Sequence, residues 1–235
     1  MFADTNVYLT AFAIGLIPTL FWLWFWLRQD KKNPEPPLLV AISFIAGMAV
    51  VPLALPLQEA AMGLYQNNNL VLVWAAIEEV LKYLVALVVI LWNKDVDEPL
   101  DPIIYMIAIA LGFAALENTL FVFHFVQDND FIFATVTGSF RFLGSTLLHL
   151  LASAAIGVAL ALSFYSSHFV KILYSLAGLF IAVLLHALFN FFIMNLREGE
   201  EDKILLIFLG VWIGIIILFL LFEKVKKIKH TSLRR

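Results

Sequence analysis

Long apolar runs constrain this chain more than any other feature of its sequence. They occupy residues 7–27, 38–57, 70–92, 103–126, 143–165, 172–195 and 204–222. Each run is close to the roughly 20 apolar residues that an α-helix needs to cross a bilayer, and none alternates as a transmembrane β-strand would. A chain of 235 residues that is 63% hydrophobic and 14% charged could not hide so much apolar surface in water. We therefore predict an all-α membrane bundle of about seven transmembrane helices.

The whole chain, residues 1–235, is predicted to form one integral-membrane domain, because its polar connections are short and it has no visible internal repeat. Pro52 and Pro56 predict a kink or an early end in the second span. Residues 131–140, FIFATVTGSF, are too short to span, so they are predicted either to lie at the interface or to extend the fifth helix. The absence of cysteine excludes disulfides and thiol nucleophiles.

Lys and Arg in the connections predict the orientation. With seven spans, eleven of the fifteen basic residues fall on one side of the membrane and three on the other, and the basic side is normally cytoplasmic. The C-terminus is therefore expected in the cytoplasm and the N-terminus outside. The first run has spanning length and no basic segment before it, so we expect an uncleaved span. The basic tail is expected to contact anionic membrane lipids, not nucleic acid.

Six ionisable residues lie well inside the predicted spans, where each charge costs about 2.5–3.5 kcal/mol on insertion scales. Counted at 1.5 Å per residue from the outer helix ends, their four helices place them about 10–14 Å below the outer face. They are therefore predicted to face one another in one layer of the bundle. The residues are Glu78, Glu79 and Lys82 in the third span, Glu117 in the fourth, His149 in the fifth and His186 in the sixth.

Helical spacing suggests pairs within this layer but leaves one choice open. Glu78 and Lys82 are four residues apart and can form an ion pair, which would leave Glu79, about 100° away on the helix, free to act. The reverse assignment is equally compatible with the spacing. Asn190 follows His186 by four residues and points the same way.

Carboxylates, imidazoles and a carboxamide around one buried point predict hydrolysis of an acyl bond, most simply a peptide bond, by activated water. A carboxylate can take a proton from water, and an imidazole or an amide can stabilise a developing oxyanion. The same groups could hold Zn²⁺, although the HExxH signature of many zinc proteases is absent. The metal ligands would then be Glu79, Glu117, His149 and His186.

Four blocks of sequence resemble the motifs of the PrsW family of intramembrane proteases. EEVLK (78–82) resembles its EExxK motif, and FAALE (113–117) resembles its FxxxE motif. RFLGSTLLHLLASAAIG (141–157) is similar to its third block, and HALFN (186–190) to its last. The blocks follow the family's order, which implies a catalytic core at residues 70–195.

The resemblance also implies roles for individual residues. Glu78 or Glu79 would activate water, with Glu117, His149, His186 and Asn190 around it and with Lys82 and Arg141 in support. The family is often described as metalloproteases, whereas relatives in its clan resemble metal-free glutamate enzymes. The implied substrate is a single-span membrane protein similar to an anti-sigma factor, cut from the outer side of a bacterial or archaeal cell membrane.

Three other functions are compatible with parts of this sequence. CAAX prenyl proteases of the same clan show EExxxR and FxxxH, whereas this chain has Lys82 and Glu117 at the corresponding blocks, and its polar layer lies nearer the outer face. A proton-coupled transporter could use the same layer as a relay, but its usual inverted repeats are not visible. A non-catalytic membrane protein on the same fold is the third alternative.

Overall fold

The computed structural model describes residues 5–30, 33–89, 93–197, 199–200 and 202–228. These residues contain no strand and form eight α-helices, which confirms the predicted all-α fold. The helices are α1 (Thr5–Leu27), α2 (Pro37–Met62), α3 (Asn67–Val89), α4 (Asp101–Gln127), α5 (Phe131–Leu143), α6 (Ser145–Leu162), α7 (His168–Met194) and α8 (Asp202–Val225).

Six helical segments are long and apolar enough to cross a membrane: α1, α2, α4, α7, α8 and the continuous segment formed by α5 and α6. The chain is thus a polytopic membrane protein, as predicted. The 23 residues of α3 would extend about 35 Å, but its three ionisable side chains set it apart from an ordinary span. A seventh crossing by α3, and the sides on which the termini lie, stay predictions. Residues 90–92 of the predicted third span and residues 229–235 of the basic tail lie outside the described residues.

Of the kink or early end predicted for the second span, the early end is wrong. Helix α2 continues past Pro52 and Pro56 to Met62, five residues beyond the predicted boundary. Each proline removes only one backbone hydrogen bond, and both prolines are exposed, whereas Val51 and Ala54 on the other face are buried in the bundle. Packing of that buried face holds the helix together past the prolines.

Residues 131–140 extend the fifth helix, the second of the two predicted alternatives. They form most of α5, and the Asp130 side chain caps its start by accepting a hydrogen bond from the Phe133 backbone N at 3.1 Å. Gly144 separates α5 from α6. A Cβ at Gly144 would lie 2.2 Å from the ring of Phe208 on α8, so the junction is held against that ring.

Helix α4 runs through the centre of the bundle, and every residue from Asp101 to Ala115 is buried. Its backbone touches that of α2 at two glycines. A Cβ at Gly112 would lie 1.9 Å from the Phe44 carbonyl oxygen, and one at Gly47 would lie 2.0 Å from that of Ile109. Such close approach is typical of helix pairs in membranes. Helix α6 packs against both α4 and α7, and α3 contacts α2, α4, α6 and α7.

Candidate active site

A cavity of about 660 Å³ opens among all the helices except α1. Its walls are mainly apolar and include Val51, Leu55, Leu120, Phe121 and Phe140. Its polar lining comes from side chains on six helices, α2 to α7. The principal members are Gln58, Glu78, Glu117, Arg141, His149, His186 and Asn190. Four of the six ionisable residues of the predicted layer, Glu78, Glu117, His149 and His186, therefore line one cavity.

Glu79 is fully buried, and both of its carboxylate oxygens accept hydrogen bonds. Its Oε1 accepts from Lys82 Nζ at 2.8 Å and from His186 Nδ1 at 2.9 Å. Its Oε2 accepts from Ser153 Oγ at 2.8 Å. Glu79 does not line the cavity. Its surroundings are those of a buried, hydrogen-bonded ion pair that also orients His186.

Glu78 lines the cavity and has one oxygen free. Its Oε1 accepts a hydrogen bond from Gln58 Nε2 at 2.8 Å, whereas its buried Oε2 has no hydrogen-bond partner among the described residues. That oxygen lies 3.7 Å from His186 Nε2, 3.9 Å from His149 Nδ1 and 3.8 Å from Lys82 Nζ. The sequence left open whether Lys82 pairs with Glu78 or with Glu79. In the structure Lys82 lies closer to Glu79, and Oε2 of Glu78 can still accept a hydrogen bond.

His149 is held between two charged groups. Its Nε2 lies 3.0 Å from Glu117 Oε2, and its Nδ1 lies 3.0 Å from Lys82 Nζ. Because an ammonium can only donate, this pattern assigns the proton to Nε2 and the lone pair to Nδ1. Arg141 completes the arrangement by donating to Glu117 Oε2 at 2.5 Å and to Asn118 Oδ1 at 2.5 Å.

His186 presents its Nε2 toward the free oxygen of Glu78. Its Nδ1 bonds to Glu79, and a ring nitrogen that donates in this way leaves the other nitrogen with the lone pair. The rings of His186 and His149 are nearly perpendicular, at 85°, with centroids 4.9 Å apart. The ring centroid of Phe113 lies 4.0 Å from Lys82 Nζ and 5.0 Å from the ring centroid of His149.

Three of these side chains form a candidate metal site. One ligand atom each from Glu78, His149 and His186 lies within 4.8 Å of the others. Two imidazole nitrogens and one carboxylate oxygen are a donor set that Zn²⁺ accepts, and the free oxygen of Glu78 has the character of an open ligand. The set fits the ion, provided that Lys82 releases His149 Nδ1.

This group differs from the set suggested by the sequence. Glu79 is engaged by Lys82 and Ser153, and Glu117 is engaged by Arg141, so neither belongs to the group of three. Glu78 takes their place because its second oxygen has no such partner.

Asn190 lines the cavity one turn after His186, and its side chain bonds to none of the described residues.

Four polar residues around the site were not singled out as site residues from the sequence: Gln58, Trp74, Asn118 and Ser153. Spacing could have indicated Ser153, one turn after His149, and Asn118 adjoins Glu117. Gln58 had no such signal, because it lay beyond the predicted end of the second span.

The chain matches the family model described as PrsW family intramembrane metalloprotease over residues 35–221, a region that includes every residue lining the cavity. It is similar to Protease PrsW of Clostridioides difficile (strain 630), with 26% identity over 195 residues, 79% of this chain and 80% of that protein. It is also similar to Protease PrsW of Bacillus subtilis (strain 168), with 24% identity over 191 residues, 78% of this chain and 83% of that protein. No solved structure matches the chain. The chain therefore belongs to the PrsW family of intramembrane proteases.

Proposed function

We propose that the protein hydrolyses a peptide bond of a single-span membrane protein with water activated at Glu78. One observation carries this proposal: Glu78 Oε2 is buried, lacks a hydrogen-bond partner among the described residues and lies within 4 Å of both histidines. An ionisable oxygen in this situation is costly in a bundle, and the position suits a general base.

In the proposed reaction, Glu78 accepts one proton and later returns it. Its Oε2 takes a proton from a water that also hydrogen-bonds to His186 Nε2, and the hydroxide attacks the scissile carbonyl carbon. Asn190, which lines the same cavity, donates to the developing oxyanion. The C–N bond then breaks, and Glu78 returns the proton to the leaving amine. Glu79 takes no proton in this scheme and keeps His186 oriented.

A metal-dependent form of the reaction would use the same residues in other roles. A Zn²⁺ ion held by Glu78, His149 and His186 would supply Lewis acidity at the attacking water. Glu78 would then be a ligand, and Glu117, the other carboxylate that lines the cavity, would have to give up its contact with Arg141 or His149 before it could take a proton. Glu78 is essential in both forms, whereas a chelator would stop only the second.

The mainly apolar lining of the cavity suits a substrate segment with apolar side chains. Its apolar walls would receive side chains from a membrane-embedded or juxtamembrane peptide, and its polar residues would meet the peptide backbone. Together with the family resemblance, this suggests a single-span substrate similar to an anti-sigma factor.

The full-length protein, its Glu78→Gln variant and the matched control Glu59→Gln test the proposal. Glu59 is an exposed acid on α2 that does not line the cavity. Each protein is expressed in bacterial cells, and new N-termini of membrane proteins are mapped by mass spectrometry, with and without a zinc chelator. New N-termini are expected with the unaltered protein and with Glu59→Gln, and none with Glu78→Gln.

Cleavage by Glu78→Gln at the unaltered rate would remove Glu78 from the mechanism. Proton flux through the reconstituted protein, without any new N-terminus, would favour the transporter alternative instead.

A further inference from the structure

We propose that Gln58 is a positioning residue that orients the Glu78 carboxylate for the reaction, an inference that rests on the proposed function. Gln58 lies near the end of α2, on a different helix from every residue assigned a catalytic role above. It contributes to the lining of the cavity, where its side chain is half-buried.

The contact between Gln58 and Glu78 is the basis of this inference. Gln58 Nε2 donates to Glu78 Oε1 at 2.8 Å, and Gln58 is the only one of the described side chains that donates a hydrogen bond to this carboxylate. The nitrogens of Lys82, His149 and His186 all lie 3.7–3.9 Å from the other oxygen, beyond ordinary hydrogen-bond distance. The direction in which Oε2 points therefore depends on the bond at Oε1.

Gln58 is itself held in place by α3. The indole Nε1 of Trp74 donates to the Gln58 backbone oxygen at 3.1 Å, and Trp74 precedes Glu78 by one helical turn. Two hydrogen bonds thus join residue 58 to the same face of α3, one through its backbone and one through its side chain. This bracing limits the movement of the Gln58 amide, as a positioning role requires.

A neutral donor suits this position. The charge of Lys82 is directed mainly to Glu79, at 2.8 Å, and lies 3.8 Å from Glu78. The amide of Gln58 can hold Oε1 without adding a second positive charge, and it leaves the lone pairs of Oε2 for water or a metal ion. Gln58 reaches Glu78 because α2 continues past its prolines to Met62.

Four full-length variants in lipid test the inference. Gln58→Leu removes the donor at similar volume, and Gln58→Glu replaces it with an acceptor of the same shape. Trp74→Phe removes only the brace. Gln29→Leu is the matched control, because the Gln29 side chain makes a hydrogen bond to the Phe25 carbonyl oxygen at 3.0 Å, away from the cavity.

For each variant, kcat and KM are measured on a fluorogenic peptide that contains the cleavage site most used by the unaltered protein. Thermal unfolding and Zn²⁺ affinity, the latter by competition with a chromophoric chelator, are measured on the same samples. Gln58→Leu is expected to lower kcat about 10–100-fold, as loss of a group supporting a reactive residue commonly does, with KM and the melting temperature unchanged. Gln58→Glu should lower kcat further, Trp74→Phe less, and Gln29→Leu not at all.

A kcat for Gln58→Leu within twofold of the unaltered value would overturn the inference, and so would a rise in KM at unchanged kcat, which would indicate substrate binding. If Gln58→Leu melts early, Gln58→Glu decides in its place. If the unaltered protein cleaves no peptide, the proposed function is wrong, and the Zn²⁺ measurements alone decide the role of Gln58. A Zn²⁺ affinity at least about tenfold weaker in Gln58→Leu than in the unaltered protein would support that role. An unchanged affinity, or no Zn²⁺ binding by either protein, would overturn it.

Discussion

Adjacent positions on a helix can have unlike surroundings, and Glu78 and Glu79 are an example. About 100° of helical rotation turns Glu79 toward Lys82, Ser153 and His186, and turns Glu78 toward the cavity. The same substitution should therefore have different consequences at the two positions.

Glu79→Gln is expected to destabilise the protein by about 3–5 kcal/mol, because it leaves the Lys82 ammonium buried beside a neutral amide. Glu78→Gln should change stability little, since one oxygen of Glu78 lacks a hydrogen-bond partner among the described residues. Thermal unfolding in detergent measures the difference. The double variant Glu79→Gln/Lys82→Met should recover part of the loss. Equal melting temperatures for the two single variants would contradict this account of the ion pair.

A second residue-scale prediction concerns Glu35, in the connection between α1 and α2. Its side chain is 8% exposed and accepts a hydrogen bond from the Tyr105 hydroxyl. Burial, together with the neighbouring carboxyls of Asp101 and Asp30, raises the pKa of Glu35 from its ordinary 4.5 to about 8, against the lowering effect of the hydrogen bond from Tyr105. The folded state thus holds a proton that the unfolded state releases, so the contribution of Glu35 to stability falls as pH rises from about 4.5 to about 8.

The melting temperature should therefore be lower at pH 9 than at pH 6, by an amount equivalent to about 1–3 kcal/mol for a buried unpaired carboxylate. In Glu35→Gln, whose amide can donate as the protonated acid does, this decline should be smaller. At pH 9 the variant should be the more stable protein. Glu59→Gln provides the control for removing an exposed acid, and an unchanged pH slope in Glu35→Gln would argue against the role of Glu35.

At the residue scale, comparing the depths of the ionisable residues in the predicted spans identified most residues of the site, but not which glutamate pairs with Lys82. Glu78, Glu117, His149 and His186 were found because charges in apolar spans are costly, and the structure brings all four together. The pairing of Lys82 could not be predicted, since its side chain can reach partners three or four residues away. The hydrogen bond from Ser153 on α6 to Glu79 favours the ion pair between Lys82 and Glu79. Spacing within α3 cannot predict this contact, because Ser153 lies on another helix.

At the element scale, α5 forms part of the cavity wall through Thr137, Phe140 and Arg141. Its outer face is apolar and exposed, with Ile132 and Phe133 more than half accessible. Its position depends on the junction at Gly144, where the ring of Phe208 lies against the backbone.

Gly144→Ala is expected to destabilise the protein by about 1–3 kcal/mol through overpacking against Phe208. The loss should be smaller in a Phe208→Ala background, because the clashing ring is absent there. A double-mutant cycle of unfolding free energies measures this coupling. Additive effects of the two substitutions would show that α5 is not held by this contact.

Most helices could be predicted from apolar length, with boundaries shifted by a few residues, but the end of α2 and the choice between the two alternatives for α5 could not. The prolines predicted a kink or an early end, and packing against the bundle prevents the early end of α2. The role of α5 depended on what packs against its own buried residues, Ala134 and Gly138, and a sequence read one helix at a time does not contain that information.

At the scale of the whole molecule, the predicted orientation can be tested with single cysteines, because the chain has none of its own. Gln66→Cys and Asp128→Cys lie in connections expected outside, and Asn93→Cys and Ser166→Cys in connections expected in the cytoplasm. A membrane-impermeant maleimide should label the first two in intact cells, and the other two only after permeabilisation. The reverse pattern would turn the polar layer toward the cytoplasm and favour the CAAX-type alternative.

The contact between the backbones of α2 and α4 at Gly47 and Gly112 has a consequence for the depth of the site. Because no side chain separates the two backbones, a shift of one helix along the other would make their atoms overlap. The relative position of α2 and α4 at this crossing is therefore fixed. Gln58 lies eleven residues beyond this point on α2, about 16 Å, and Glu117 lies five residues beyond it on α4, about 8 Å. The position of Gln58 relative to the polar side chains of the cavity is therefore set by this helix contact and not by the lipid, and it should persist when the thickness of the surrounding bilayer changes.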